Sequence, residues 1–221
     1  MSGARASSAS GGFTLIEILL AMALVALMLV GLNTFVFSMG ELWGKNTDVR
    51  LFDLHVRAVT RYLQNEVRAA TLPPAAAPNS TPIGIQMVTP ANGVSDNLIT
   101  FMLLSGSRIL NWPDRPLPEV VCSLQVRQGQ GLFLLWHSDS EMHFNEDPPR
   151  ETLISPMVTA IEFDYFDQDF NKWTTETLLR KDAGGNPLAP QRLRVEFKYG
   201  KLTRESFVNL AGVPQGVPNI W

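Results

Sequence analysis

A long uncharged stretch near the N-terminus is the feature that most restricts the fold of this chain. The 23 residues from Ile18 to Gly40 carry no charged side chain, and about 20 mostly apolar residues are enough for a helix to cross a bilayer. A buried core helix is one alternative, but so long an apolar run is unusual in a domain of 221 residues. The run also explains why only 18% of the residues are charged, so we expect a membrane-spanning helix.

A cleaved secretory signal is the second alternative for this stretch. Such a signal has a basic start, an apolar run of about 7–15 residues and a cleavage site with small residues. Here Arg5 is the only basic residue before the run, the run is longer, and the bulky residues Phe35, Val36 and Phe37 stand where small ones belong. We therefore expect the helix to remain in the mature protein. Arg5 alone does not decide the orientation by the positive-inside rule.

Charge and motif content exclude several classes of function. The chain has 18 basic and 21 acidic residues, so it lacks the basic excess typical of nucleic-acid-binding proteins and no nucleic acid is expected as a partner. Its single cysteine, Cys122, forbids an intramolecular disulfide, and we expect it to be packed in its apolar run. No nucleophile elbow, phosphate loop or dinucleotide fingerprint occurs. We expect no enzyme, no catalytic residues and no cofactor, with a membrane-anchored hydrolase as the alternative.

The helical pattern continues beyond the apolar run. Apolar residues recur every three or four positions after Gly40, which is typical of a helix with one buried face. Pro73 and Pro74 cannot continue such a helix, so we predict one helix from about Thr14 to about Ala70. The apolar stripe consists of Val49, Phe52, Val56, Val59, Leu63 and Val67.

After a connector from Leu72 to Pro82, short strand-like segments alternate with turn residues. Gly200 and Lys201 between the last two segments predict a tight hairpin. We therefore predict an α+β fold, in which a long N-terminal helix packs on an antiparallel, β-rich C-terminal domain. The predicted strands are Gly84–Thr89, Leu98–Leu104, Val120–Val126, Leu132–His137, Met157–Phe166, Arg192–Tyr199 and Leu202–Leu210.

Glu17 interrupts the apolar pattern, because a carboxylate at the edge of the hydrocarbon is costly unless it meets water or a partner. Glu17 either lies at the membrane interface or forms an ion pair with a cation from another chain. The segment Gly12-Phe13-Thr14-Leu15-Ile16-Glu17, followed by an apolar helix, resembles the processing motif of type IV pilins and pseudopilins. That resemblance implies a pilin-like fold.

The resemblance also implies a processing pathway for the N-terminus. A prepilin peptidase would cut between Gly12 and Phe13, release a leader of 12 residues and methylate the new amine of Phe13. Glu17 would become the fifth residue of the mature chain. In the assembled filament its carboxylate would pair with the Phe13 amine of a neighbouring subunit. The single basic residue of the leader departs from the usual pattern of several.

The downstream sequence resembles the J-type minor pseudopilins of the type II secretion system. The segments that carry this looser resemblance are Gln64–Ala70, Ala160–Asp167 leading to Trp173, Pro190–Phe197 and Arg204–Phe207. It implies a structural subunit at the pseudopilus tip that acts in protein secretion. A minor pilin of a type IV pilus, used for adhesion, motility or DNA uptake, is the alternative; a bitopic anchored binding domain is a further one.

The resemblance divides the chain into a leader at 1–12, a transmembrane helix at 13–40, its amphipathic continuation at 41–71 and an extracytoplasmic β-rich domain at 72–221. It implies a single-pass protein of the inner membrane with its C-terminal domain in the periplasm. The expected partners are the prepilin peptidase, the other minor pseudopilins, the major pseudopilin and the inner-membrane secretion platform.

Two clusters of polar residues contain side chains that could bind a metal ion. The first cluster consists of His137, Asp139, Glu141 and His143, which would share one face if this segment were a strand. A straight strand spreads these side chains too far apart to bind one zinc ion. We therefore expect a solvated strand end. Asp167, Asp169 and Asn171 open like a calcium loop, but Lys172 and Leu178 replace the glycine and glutamate that such a loop needs. A looser calcium site with Asp164 stays open, and a hairpin turn is favoured. We therefore assign no metal site.

Overall fold

A computed structural model describes residues 14–72, 81–91, 93–107, 109–110, 117–144 and 146–210, with the backbone alone at 41–46. Gly12 and Phe13 lie outside the described residues. The chain divides into two compact units, Met1–Leu51 and Phe52–Trp221. One helix, α1 (Leu15–Arg68), contributes to both units.

The first unit contains the apolar part of α1. Leu15–Gly40 is long and apolar enough to cross a membrane. Its large side chains are exposed, for example Leu19, Leu27 and Phe37, as expected for a helix whose surroundings are lipid rather than protein. The predicted apolar N-terminal helix is confirmed.

In the second unit, the rest of α1 buries the predicted stripe except for Val49, which belongs to the first unit and is half-buried. Phe52, Val56, Val59, Leu63 and Val67 are each at most 8% exposed, which confirms that the stripe faces a core. The helix ends at Arg68, and Thr71 then bonds from its backbone nitrogen to the carbonyl oxygen of Met102 at 2.8 Å. The chain therefore leaves the helix directly onto a sheet, before the two prolines.

The described residues of this unit form two antiparallel sheets. The first has five strands that follow one another in chain order, and the second has four strands. The strands of the first sheet are β1 (Ile83–Val88), β2 (Asp96–Ser105), β3 (Pro118–Arg127), β4 (Gly131–Ser138) and β5 (Arg150–Ser155). Those of the second are β6 (Val158–Asp167), β7 (Lys172–Glu176), β8 (Arg192–Tyr199) and β9 (Leu202–Asn209). They lie in the order β7-β6-β8-β9 across the sheet.

A shared core joins α1 and the inner faces of both sheets. Leu63 of the helix, Phe101 and Leu134 of the first sheet, and Val195 and Phe197 of the second belong to one cluster of buried side chains. Burying apolar area contributes about 25 cal/mol per Å², so this cluster supplies the main stabilisation of the unit. The predicted α+β architecture is confirmed.

Two tight turns depend on glycine. Gly200 has φ +57° and begins the turn between Tyr199 and Leu202, as a type II′ hairpin requires, so the predicted hairpin is confirmed. Gly131 has φ +105°, and a side chain there would overlap the carbonyl oxygen of Ser155 on the adjacent strand. Glycine is therefore needed at the start of β4 for both conformation and space.

All seven predicted segments form strands, but the prediction was incomplete. The structure adds β5 and β7. Each is an edge strand, paired on one side only, and each mixes polar with apolar residues. Such strands bury little and carry a weak alternating pattern, which is why the sequence pattern missed them.

Candidate functional site

The N-terminus of α1 presents Glu17, the candidate for subunit assembly. Oε2 of its carboxylate accepts a hydrogen bond from the backbone nitrogen of Thr14 at 3.1 Å and another from the Thr14 hydroxyl at 3.0 Å. The backbone nitrogen of Glu17 donates in return to the Thr14 hydroxyl at 3.4 Å. This reciprocal arrangement is a capping box, which satisfies backbone donors at a helix start.

The capping box assigns Glu17 a local role that we did not anticipate. The Thr14-x-x-Glu17 spacing was visible in the sequence and is the signal that could have revealed it. The negative carboxylate also lies at the positive end of the helix dipole. Glu17 therefore stabilises the helix start within its own chain.

The same carboxylate can still receive a cation. A carboxylate offers about four lone-pair sites, and both hydrogen bonds from Thr14 are accepted by Oε2. Both Thr14 and Glu17 are exposed. Next to Glu17 the small side chains of Ala21 and Ala26 leave a shallow apolar groove along the helix, with Ile18 and Val25 on its sides. The helix start thus presents an anion beside an apolar surface.

The His137 cluster does not form a common strand face, because β4 ends at Ser138 and a turn follows. The His137 ring stacks on Phe144 with centroids 3.9 Å apart, and burial lowers its pKa. Glu141 instead pairs with Arg150 at 2.6 Å, which lowers the pKa of that carboxyl. Among the described residues, no group of three or more histidine, cysteine or acidic side chains is placed to hold a metal ion.

The acidic residues of β6 are separated by their partners. Asp164 is completely buried and accepts hydrogen bonds from the Thr175 hydroxyl at 2.7 Å and from Nε of Arg192 at 2.8 Å. Asp167 instead accepts from the backbone nitrogens of Asp169 and Phe170 in the turn to β7. The carboxylates of Asp164 and Asp167 therefore have different partners, and Asp167 serves the turn that the sequence favoured.

A further buried carboxylate, Glu66, lies on α1 and was not singled out from the sequence. It is 9% exposed and is hydrogen-bonded to the side chain of Ser107. The Tyr62 hydroxyl lies 3.5 Å from the same Ser107 oxygen. Burial raises the pKa of Glu66 and also that of the nearby Cys122 thiol. Cys122 is therefore an unreactive, packed thiol.

Comparison with known proteins bears on the N-terminus alone. Residues 7–33 match the family model described as the prokaryotic N-terminal methylation motif. No curated protein sequence matches the chain. The match supports a type IV pilin-like or pseudopilin protein, processed by a prepilin peptidase and assembled with other pilin-like subunits. It also suggests a structural rather than an enzymatic role, and the apolar helix is consistent with a single membrane anchor.

Proposed function

We propose that this chain is a minor pseudopilin of a type II secretion system, which acts by assembly at or near the pseudopilus tip during protein secretion. The observation that carries the proposal is the carboxylate of Glu17 at the start of the apolar helix Leu15–Gly40. Glu17 lies four residues after Phe13, within the residues that match the methylation motif.

Processing and assembly are coupled through the Phe13 amine. Before cleavage this nitrogen is part of a peptide bond and cannot carry a positive charge. After cleavage between Gly12 and Phe13, the methylated amine pairs with Glu17 of a neighbouring subunit. An isolated charge in hydrocarbon is costly, and pairing two opposite charges offsets both costs. Subunits can therefore assemble only after the leader has been cleaved, and the pairing fixes the axial step between them.

The proposal includes the domain organisation and location of the chain. The leader at 1–12 stays in the cytoplasm, 13–40 spans the inner membrane, 41–71 continues the helix, and 72–221 forms the periplasmic domain. The partners are the prepilin peptidase, sibling minor pseudopilins, the major pseudopilin and the inner-membrane secretion platform. The J-type assignment rests on the looser downstream resemblance.

Mass spectrometry of the mature protein from purified membranes tests the processing step. We expect a chain that begins at Phe13 and carries one additional methyl group. The matched control is a Gly12→Ile variant expressed in the same cells, which should retain the leader because the peptidase cuts after glycine. A wild-type chain that keeps Met1 or Ser2 while the peptidase is present would refute the filament proposal and favour a bitopic anchored domain.

Deletion of the gene separates the pseudopilin from the minor pilin of a type IV pilus. We expect a strain without this chain to lose secretion of proteins across the outer membrane while surface pili and twitching motility stay intact. Complementation with the wild-type chain should restore secretion. The opposite pattern, with normal secretion and lost pili, would assign the chain to a pilus.

A further inference from the structure

Three arginines form a row on the exposed face of α1 within the second unit. Arg57, Arg61 and Arg68 are all exposed. At 100° per residue they lie within about 40° of one another around the helix axis, and they extend over about 17 Å. We call these three residues the arginine row.

The arginine row differs from the other described arginines of this unit in having no carboxylate partner among the described residues. Every other described arginine there has a carboxylate oxygen between 2.5 and 3.1 Å away. The pairs are Arg127 with Glu151, Arg150 with Glu141, Arg180 with Glu176, Arg192 with Asp164, Arg194 with Glu205, and Arg204 with Asp53.

The spacing of the arginines along the helix makes their lack of carboxylate partners unfavourable. Arg57 and Arg61 are four residues apart, a spacing at which like charges destabilise a helix. Asp53 stands four residues before Arg57 and could relieve the repulsion, but its carboxylate bonds to Nε of Arg204 on β9 at 2.9 Å. The carboxylate of Asp53 therefore pairs with the sheet, and the positive charges of the arginine row are not neutralised by any described residue.

The shape of the same face suits another helix. Leu54, Ala58 and Asn65 are exposed on one side of the arginine row, and spacings of three and four residues produce the ridges that pack into the grooves of a neighbouring helix. The small side chain of Ala58 allows a neighbouring helix to approach closely beside the arginine row. Positive charge along one side of this low ridge is complementary to a helix that carries carboxylates.

We propose that the arginine row docks a carboxylate-bearing helix of a neighbouring pilin-like subunit. The inference rests on the proposed function, because it needs an assembly in which subunits lie side by side. A nucleic acid fits less well, since the chain has a net charge of −3 and the row is a single line of charge rather than a broad basic surface.

Charge reversal in the full-length chain, expressed in its native host, tests the inference. The variant Arg57→Glu/Arg61→Glu leaves Arg68, which stabilises the C-terminal turn of the helix. The matched control, Lys198→Glu/Lys201→Glu, makes the same change in net charge at two exposed lysines of the β8–β9 hairpin. Thermal unfolding should be similar for both variants, because all four positions are exposed.

We expect the helix variant to be processed normally but to enter the assembled filament about tenfold less than wild type, because like charges then face each other. The control variant should assemble normally. If the helix variant is incorporated as well as the control, the inference is wrong while the proposed function stands. If the wild-type chain itself is absent from filaments, both fail.

A photo-crosslinking residue at position 58 identifies what covers the row. We expect cross-links to another pilin-like subunit, at a helix with acidic residues three or four positions apart. Reversing those acidic residues to arginine should restore incorporation of Arg57→Glu/Arg61→Glu. Cross-links to lipid or nucleic acid, or to a helix without carboxylates, would overturn the inference.

Discussion

The buried ion pair between β6 and β8 allows a quantitative test of how the second sheet is stabilised. Asp164 is completely buried, and Nη2 of Arg192 lies 2.6 Å from its carboxylate. The Arg192 guanidinium is stacked between two aromatic rings, 4.3 Å from the ring centroid of Trp173 and 4.2 Å from that of Phe207. The pair thus combines charge, hydrogen bonds and cation–π contacts.

Arg192→Met removes the cation while keeping a long apolar side chain between the two rings. The carboxylate of Asp164 then keeps the Thr175 hydroxyl, and Nε of Arg194 lies 3.6 Å away. Removing one partner of a buried pair costs about 3–5 kcal/mol. Because Arg194 compensates in part, we expect about 3 kcal/mol, which lowers Tm by about 6–12 °C for a domain of this size.

Urea unfolding of the full chain in detergent, followed by circular dichroism of the strands, measures this loss. The matched control is Arg180→Met, which breaks a half-exposed pair with Glu176 and should cost about 1 kcal/mol. The double variant Asp164→Asn/Arg192→Met should be about 1–2 kcal/mol more stable than Arg192→Met, because it removes the uncompensated charge. A loss below about 1 kcal/mol for Arg192→Met, or no recovery in the double variant, would refute this account.

Three other predictions follow from individual side chains. Burial raises the pKa of Glu66 above its ordinary value of 4.5, so the stabilising contribution of the protonated carboxyl is complete below that pH and is lost as the pH rises. Glu66→Gln should therefore raise the urea midpoint more at pH 7.5 than at pH 4. Equal gains at the two pH values would contradict this prediction. Gly131→Ala should lower the free energy of unfolding by more than about 3 kcal/mol in urea titrations, since it adds a clash to the strain of a positive φ. Gly129→Ala has open space around it and should cost only about 1 kcal/mol. The Glu17→Ala variant should insert into the membrane and be cleaved but enter filaments poorly. The Thr14→Ala variant loses only part of the helix cap and should assemble far better. Equal incorporation of both variants, measured by immunoblot of sheared filaments, would contradict the assembly role of Glu17.

The helix and most strands could be predicted because their signals are local. The uncharged run after Glu17 and the stripe that ends at Val67 repeat with the helical period, and Pro73 marks where the pattern stops. Seven strands combined apolar alternation with turn residues at their ends. Local patterns of this kind do not depend on which segments later become neighbours.

The remaining features depend on partners that are distant in sequence. The burial of Asp164 arises because β7 places Thr175 on one side and β8 places Arg192 on the other, and single-sequence patterns do not reveal that pairing. β5 and β7 are recognisable as strands only once β4 and β6 offer free edges. Glu66 was not singled out from the sequence because its burial depends on the segment that contains Ser107.

The two charged features of α1 are suited to different tasks in the proposed assembly. A pair between Glu17 and a neighbouring Phe13 amine is strong because lipid screens charge poorly, but any subunit with the same motif can form it, so it cannot select a partner. Specificity needs contacts that favour one neighbour and penalise others. The arginine row can provide this selection, since a neighbour without carboxylates would leave the three charges unpaired and a basic neighbour would be repelled. We therefore expect reversal of the row to change which subunit stands next to this chain, whereas loss of Glu17 should prevent its incorporation beside any of them.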